Sequence, residues 1–153
     1  SIGGFIAGSK PLIDFLKNKA RPFIYTTALP PAVCAASMAG LTLIQEDVSL
    51  IDTLWKNIAF LKSRLSTFMD TIAGESPIVP LIVGSAEDAV NLSTKLYQNG
   101  ILIPAIRPPT VPPGTSRLRI SLMATHSADD INRLIDILQY VGFLTREHAK
   151  DVC

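Results

Sequence analysis

The sequence predicts an α/β chain: a small α+β domain, in the order strand-helix-strand-strand-helix, carried on one long helix. Three observations predict it. From Leu41 through Phe68 apolar residues recur three or four positions apart, which keeps one stripe of a helix apolar. Residues 78–83, 101–106 and 117–122 have strand composition, and the last alternates cleanly between apolar and polar. Two further helical patterns open on Ser-x-x-Asp, at Ser85 and Ser127, with the spacing of a capping box.

Taken in order, residues 2–7 are apolar and glycine-bearing and read as a strand. A short helix follows, with Ser9 as N-cap, Pro11 in its first turn and Lys17, Lys19 and Arg21 near its C-terminal end, where cations suit the helix dipole. Residues 23–27, FIYTT, have strand composition. Pro30-Pro31 ends that strand and opens a helix whose first turns hold small residues, Cys34 among them as a small buried hydrophobe. As one helix, residues 31–69 would reach about 58 Å, too long for a compact domain of this size. Such a helix bridges two packing units, and Gly40 is the expected break. The small domain then runs from the strand at 78–83 to a helix ending at Asn99-Gly100. A strand whose Pro104 suits an edge follows, then a proline-rich loop at 107–116 and the alternating strand. The last helix has Ile131, Leu134, Ile135, Leu138 and Val141 on one face. Beyond Thr145 the tail is polar. The expected organisation is therefore 1–30 as part of another domain, 31–70 as connector helix and 71–153 as the small domain.

Composition narrows the function. In 153 residues, 48% are hydrophobic, 18% are charged and mean hydropathy is +0.33, too apolar for a disordered chain. No apolar run approaches the roughly 20 residues of a membrane span. A net charge of +1, from 14 basic and 13 acidic residues, gives no electrostatic case for nucleic acid. Cys34 and Cys153 make neither a disulfide framework nor a metal set, and His126 and His148 are too isolated for a metal site. The chain starts at Ser1 directly in apolar sequence unlike a signal peptide, and reads as the middle of a longer, cytoplasmic protein.

Residues 106–121, IRPPTVPPGTSRLRIS, are the most informative stretch. Four prolines stiffen the loop, Arg107 precedes it, and Arg117 and Arg119 follow on one face of a strand. Arginine on a rigid element suits bidentate capture of a carboxylate. By residue type alone, a solvated strand face is the plainer reading of Arg-x-Arg. Thr26 and Thr27, ahead of a helix N-terminus, could likewise bind phosphate or be an ordinary strand pair.

The segments SIGGFIAGS, RPFIYTTALPPA and IRPPTVPPGTSRLRIS with ATHSADDI, in this order over nearly the whole chain, resemble the C-terminal part of α-oxoamine synthases, fold-type I enzymes that use pyridoxal 5'-phosphate. Within that family the proline-rich loop is most similar to the branch that condenses L-alanine with pimeloyl-CoA or pimeloyl-ACP, with decarboxylation, to 8-amino-7-oxononanoate in biotin biosynthesis. The resemblance implies a homodimer with active sites at the subunit interface. Thr26 and Thr27 would reach the cofactor phosphate of the neighbouring subunit. Arg119 would bind the amino-acid carboxylate, Thr110 and Arg107 would stand beside the active site, and the segment 106–113 would shape the acyl side. Arg117 and His126 would be structural. The cofactor-binding lysine would fall just upstream of Ser1, and Lys10, at a helix start, would be a surface lysine. This chain alone would then lack a catalytic residue and be inactive. Two alternatives stand beside this: a glycine- or serine-using member of the family, and a non-catalytic interaction module that keeps the fold.

Overall fold

The computed structural model describes residues 4–68 and 75–144. The expectations for residues 2–3, for the helix end at Met69, and for the tail with His148 and Cys153 lie outside the described residues. The chain divides into two compact units, residues 1–48 and 49–153.

The first unit is helical. Lys10–Lys19 form α1, with Ser9 as N-cap and Pro11 in the first turn. Arg21–Ile24 form a single turn, α2, and Pro31–Glu46 form α3. The strands expected at 2–7 and 23–27 do not form among the described residues. A strand needs a partner for its amides, and the described residues of this unit offer none. Instead the amides of Ile24 and Tyr25 close helical bonds onto the carbonyls of Ala20 and Arg21, both at 3.0 Å. None of the three helices carries a buried residue, and Cys34, expected buried, is exposed.

The expected long helix is two helices. α3 ends at Glu46 and α4 runs Ser49–Leu65, so the break falls at Asp47 and Val48, not Gly40. One glycine costs a helix about 1 kcal/mol and does not by itself end it. Asp, β-branched Val and Ser in succession supply three weak helix formers, two of them with side chains that compete for backbone hydrogen bonds.

The second unit is a three-stranded antiparallel sheet with helices on one face. β1 is Ile78–Gly84, α5 is Ala86–Gln98, β2 is Ala105–Ile106, β3 is Ser116–Ser121 and α6 is Ala128–Tyr140. The strand order is β1-β3-β2, with β3 in the centre. Val79 pairs with Ile120 and Leu81 with Leu118, and all four point into the core. They meet Ile58, Leu61 and Leu65 of α4, Leu92 and Leu96 of α5, and Ile131, Leu134, Ile135 and Leu138 of α6.

The helix ends follow the sequence signals. Ser85 and Ser127 accept from the amides of Asp88 and Asp130, and Ser127–Asp130 is a complete capping box. Gly100, at φ +81°, closes α5. Its amide reaches the Tyr97 carbonyl and that of Ile101 the Leu96 carbonyl, both at 2.9 Å, as in a Schellman motif. The strand expected at 101–106 is reduced to two residues. Ile101 is taken up by the helix cap, the Ile103 carbonyl accepts from Ser93 Oγ at 2.6 Å, and Pro104 has no amide to give.

Leu118 is fully buried at the centre of the central strand. Leu118→Ala should lower the unfolding free energy by about 2–5 kcal/mol, read as a shift in the denaturation midpoint. A shift equal to that of a surface substitution would contradict this core assignment.

Candidate functional site

The period of two along β3 sorts its residues. Leu118 and Ile120 face the helices, while Arg117 and Arg119 stand on the opposite face. Across the ladder Arg119 lies beside Pro80, and Arg117 between Ile82 and Ile106. On this outer face an open cavity of about 450 Å³ is lined by Arg117, Arg119 and Thr110, with Ser76, Ile78, Pro80 and Ile106. Among the described residues its lining thus has two guanidinium groups, two hydroxyls, three apolar side chains and no carboxylate. Such a pocket favours an anion with an apolar stem.

The loop that brings Thr110 here consists of two turns. Residues 107–110 close with the Thr110 amide on the Arg107 carbonyl at 3.0 Å, around a cis Pro108-Pro109 bond. Residues 112–115 close with the Thr115 amide and Oγ1 on the Pro112 carbonyl, at 3.2 and 2.8 Å. Gly114, at φ +79°, supplies the left-handed residue that a turn of this kind needs after Pro113.

Of the residues singled out from sequence, the structure brings Arg119 and Thr110 to one cavity, with Ile106. Arg107 is exposed and not among the cavity's lining residues; its carbonyl closes the first turn. Thr26 and Thr27 belong to the first unit. They follow the short helix α2, not a strand, and both are exposed. Neither hydroxyl has a hydrogen-bond partner among the described residues. Lys10 is exposed and paired with Asp14 at 2.6 Å. Sequence reasoning missed Ser76, Ile78 and Pro80. The antiparallel register that sets Pro80 beside Arg119 is a long-range fact, and only the strand character of β1 hinted at it.

A second cavity, about 350 Å³, lies between the segment 100–104, the end of β3 and the start of α6. Arg119 borders it too, with His126, Asp130 and Arg133. These last three have structural partners. His126 Nδ1 accepts from the Met123 amide at 3.2 Å, which puts the ring proton of the neutral form on Nε2. Asp130 accepts from the amide and hydroxyl of Ser127, both at 2.8 Å, and Arg133 donates to the Asn99 carbonyl at 3.3 Å. Asn57 of α4 fastens the same corner by donating to the carbonyls of Met123 and His126, at 3.1 and 2.8 Å. Among the described residues no group of three or more His, Cys, Asp or Glu could hold a metal ion.

A sequence model of the family aminotransferase class I and II matches residues 1–138. The chain belongs to that family. It is 49% identical over 138 residues to the 8-amino-7-oxononanoate synthase of Methylobacillus flagellatus, covering 89% of this chain and 35% of that protein. It is 43% identical over 145 residues to the synthase of the same name from Geobacter metallireducens, covering 93% and 37%. The chain therefore spans little more than a third of the length of these relatives. Among solved structures, a serine palmitoyltransferase variant from S. paucimobilis, with bound pyridoxal phosphate and myriocin, superposes with a TM-score of 0.77. It is 27% identical, over 86% of this chain and 34% of that one. The 8-amino-7-oxononanoate synthase of Francisella tularensis superposes at 0.69 and 27% identity, over 87% and 39%. These family members place the small sheet and its helices in fold-type I. No helix among the described residues is long and apolar enough to cross a membrane.

The cap at the second cavity has a pH signature. The backbone and side-chain hydrogen bonds from Ser127, aided by the nearby charges of His126 and Arg133, hold the Asp130 carboxyl below its ordinary 3.8. A depressed carboxylate contributes stability above its unfolded value and loses it as pH falls through the folded one. Asp130→Asn should therefore flatten the acid arm of the stability curve below pH 3.8 and leave its neutral-to-basic slope unchanged. An unaltered acid arm would contradict the assignment.

Proposed function

We propose that this chain is the C-terminal part of a pyridoxal-phosphate-dependent acyltransferase that condenses L-alanine with a pimeloyl thioester, on CoA or acyl carrier protein, to 8-amino-7-oxononanoate. The observation that carries this reading is the outer-face cavity: Arg119 with Thr110, over apolar Ile78, Pro80 and Ile106, without a competing carboxylate among the described residues. The names of the relatives supply the chemical class. In this reading residues 1–30 belong to the cofactor domain, 31–70 connect, and 71–153 form the small domain, in a cytoplasmic homodimer.

The residues of this chain bind and orient. Arg119 has no side-chain partner among the described residues, so its fork is open to an amino-acid carboxylate. Rigid β3 fixes where that carboxylate sits. Ile106 and Thr110 border the space left for the acyl chain. Thr26 and Thr27, exposed and unpartnered among the described residues, fit a phosphate and would hold that of the cofactor across the subunit interface. The cofactor supplies an electron sink for the amino-acid carbon that attacks the thioester. Lys10, tied to Asp14 within α1, is the wrong lysine to carry it. The lysine that does so lies outside this chain, and the 153-residue chain alone is inactive.

Assaying the full-length reading frame with L-alanine, glycine and L-serine against several acyl thioesters tests this. Alanine with pimeloyl thioester should be the preferred pair, and turnover only with glycine or serine would overturn the choice. Arg119→Lys keeps the charge but loses the fork, and should lower kcat/KM for alanine about tenfold or more. The 153-residue chain supplied with cofactor should give no ketone product. Borohydride-trapped cofactor on it together with turnover would overturn its inactivity.

A further inference from the structure

Arg117 and Arg119 are two residues apart on one face of one strand, yet their surroundings differ. Arg119 is exposed and has no side-chain partner among the described residues. Arg117 is half-buried, and its Nε donates to the Thr115 carbonyl at 3.0 Å. Thr115 is the last residue of the turn 112–115 and holds the Pro112 carbonyl through both amide and hydroxyl. Val111 alone separates that turn from the turn 107–110, which ends on Thr110. An anchor at Thr115 therefore reaches Thr110 through two closed turns and a single intervening residue. Thr110 and Arg117 meet again in the lining of the same cavity.

We propose that Arg117 is a positioning residue of the outer-face site: it fastens the proline-rich loop through Thr115, keeps Thr110 at the cavity's edge, and leaves the ligand's carboxylate to Arg119. This rests on the reading of that cavity as a carboxylate site. The chemistry of arginine supports the division. An Nε–H is held in the guanidinium plane, directed sideways from the stem, and can meet a carbonyl two residues back along the strand. A lysine carries the same charge only at the tip of a flexible chain and has no donor at that position. The role therefore depends on shape more than on charge, whereas a second anion-binding arginine would depend on charge.

The test uses the 153-residue chain, isotope-labelled, with pimelate and L-alanine as separate probes. On titration with either probe the Arg119 Nε–H resonance should shift and that of Arg117 should stay. Arg117→Lys and Arg117→Gln should both speed amide exchange at Thr110 and Thr115 about tenfold and weaken binding about tenfold, the scale of one hydrogen bond from a charged donor. Arg119→Gln should abolish binding and leave exchange at Thr110 and Thr115 unchanged. The core amide of Leu118 reports that each variant is folded. If Arg117→Lys binds as tightly as the native chain while Arg117→Gln does not, the charge is what matters and the proposal is overturned. Unchanged exchange at Thr110 and Thr115 in both Arg117 variants overturns it as well. If the native chain binds neither probe, the carboxylate reading fails, and the exchange rates still decide whether Arg117 holds the loop.

Discussion

The pairing of β3 with a strand on each side is the constraint from which the second unit follows. A central strand has all its backbone groups satisfied within the sheet and can present every second side chain to each face. Here one face receives Leu118 and Ile120, closing a core with three helices, and the other receives Arg117 and Arg119. Packing and candidate chemistry are two sides of one alternation. A slip of one residue in the register would bury two guanidinium groups and expose two core residues, so the burial of Leu118 enforces the placement of Arg119.

The elements around β3 restrict it further. The Arg119 amide donates to the Pro104 carbonyl at 3.1 Å, which extends the β2 side of the sheet past its two ladder residues. The Leu122 amide donates to the Pro77 carbonyl at 3.0 Å and does the same on the β1 side. Downstream, the Asn57 clip and the Ser127–Asp130 box fix the turn into α6. The strand that carries the candidate ligand-binding arginine is thus held at both ends by polar contacts and in its middle by apolar ones, which favours recognition by a site formed in advance.

The sequence made this second unit legible because its signals are local. Ser85 and Ser127 cap where their three-residue spacing to Asp88 and Asp130 says they should, Gly100 stops α5, and the alternation of β3 assigns its faces. What it concealed is contextual. Residues 23–27 have strand composition, but strand formation depends on a partner that the described residues of their unit do not supply. Residues 101–104 have it as well, yet Ser93 and the cap of α5 draw their backbone groups away. Gly40 is the conspicuous helix weak point, and the break falls at Asp47 and Val48 because several modest preferences acting together outweigh a single glycine. Arg119 could be singled out from its motif and Arg117 set apart from it by resemblance, whereas what Arg117 holds shows only in the carbonyl its Nε reaches.

The strand order also carries a consequence for how the chain acquires this structure. β1 and β2, made first, do not touch in the finished sheet; each waits for β3. Until residue 121 has been synthesised, β1 has an unsatisfied edge and α5 an apolar stripe without its sheet. Cotranslational folding of this unit is therefore gated by its central strand. A chain terminated within the proline-rich loop loses the whole ladder, not merely its last strand, because the residues missing from its end are the ones that join the other two.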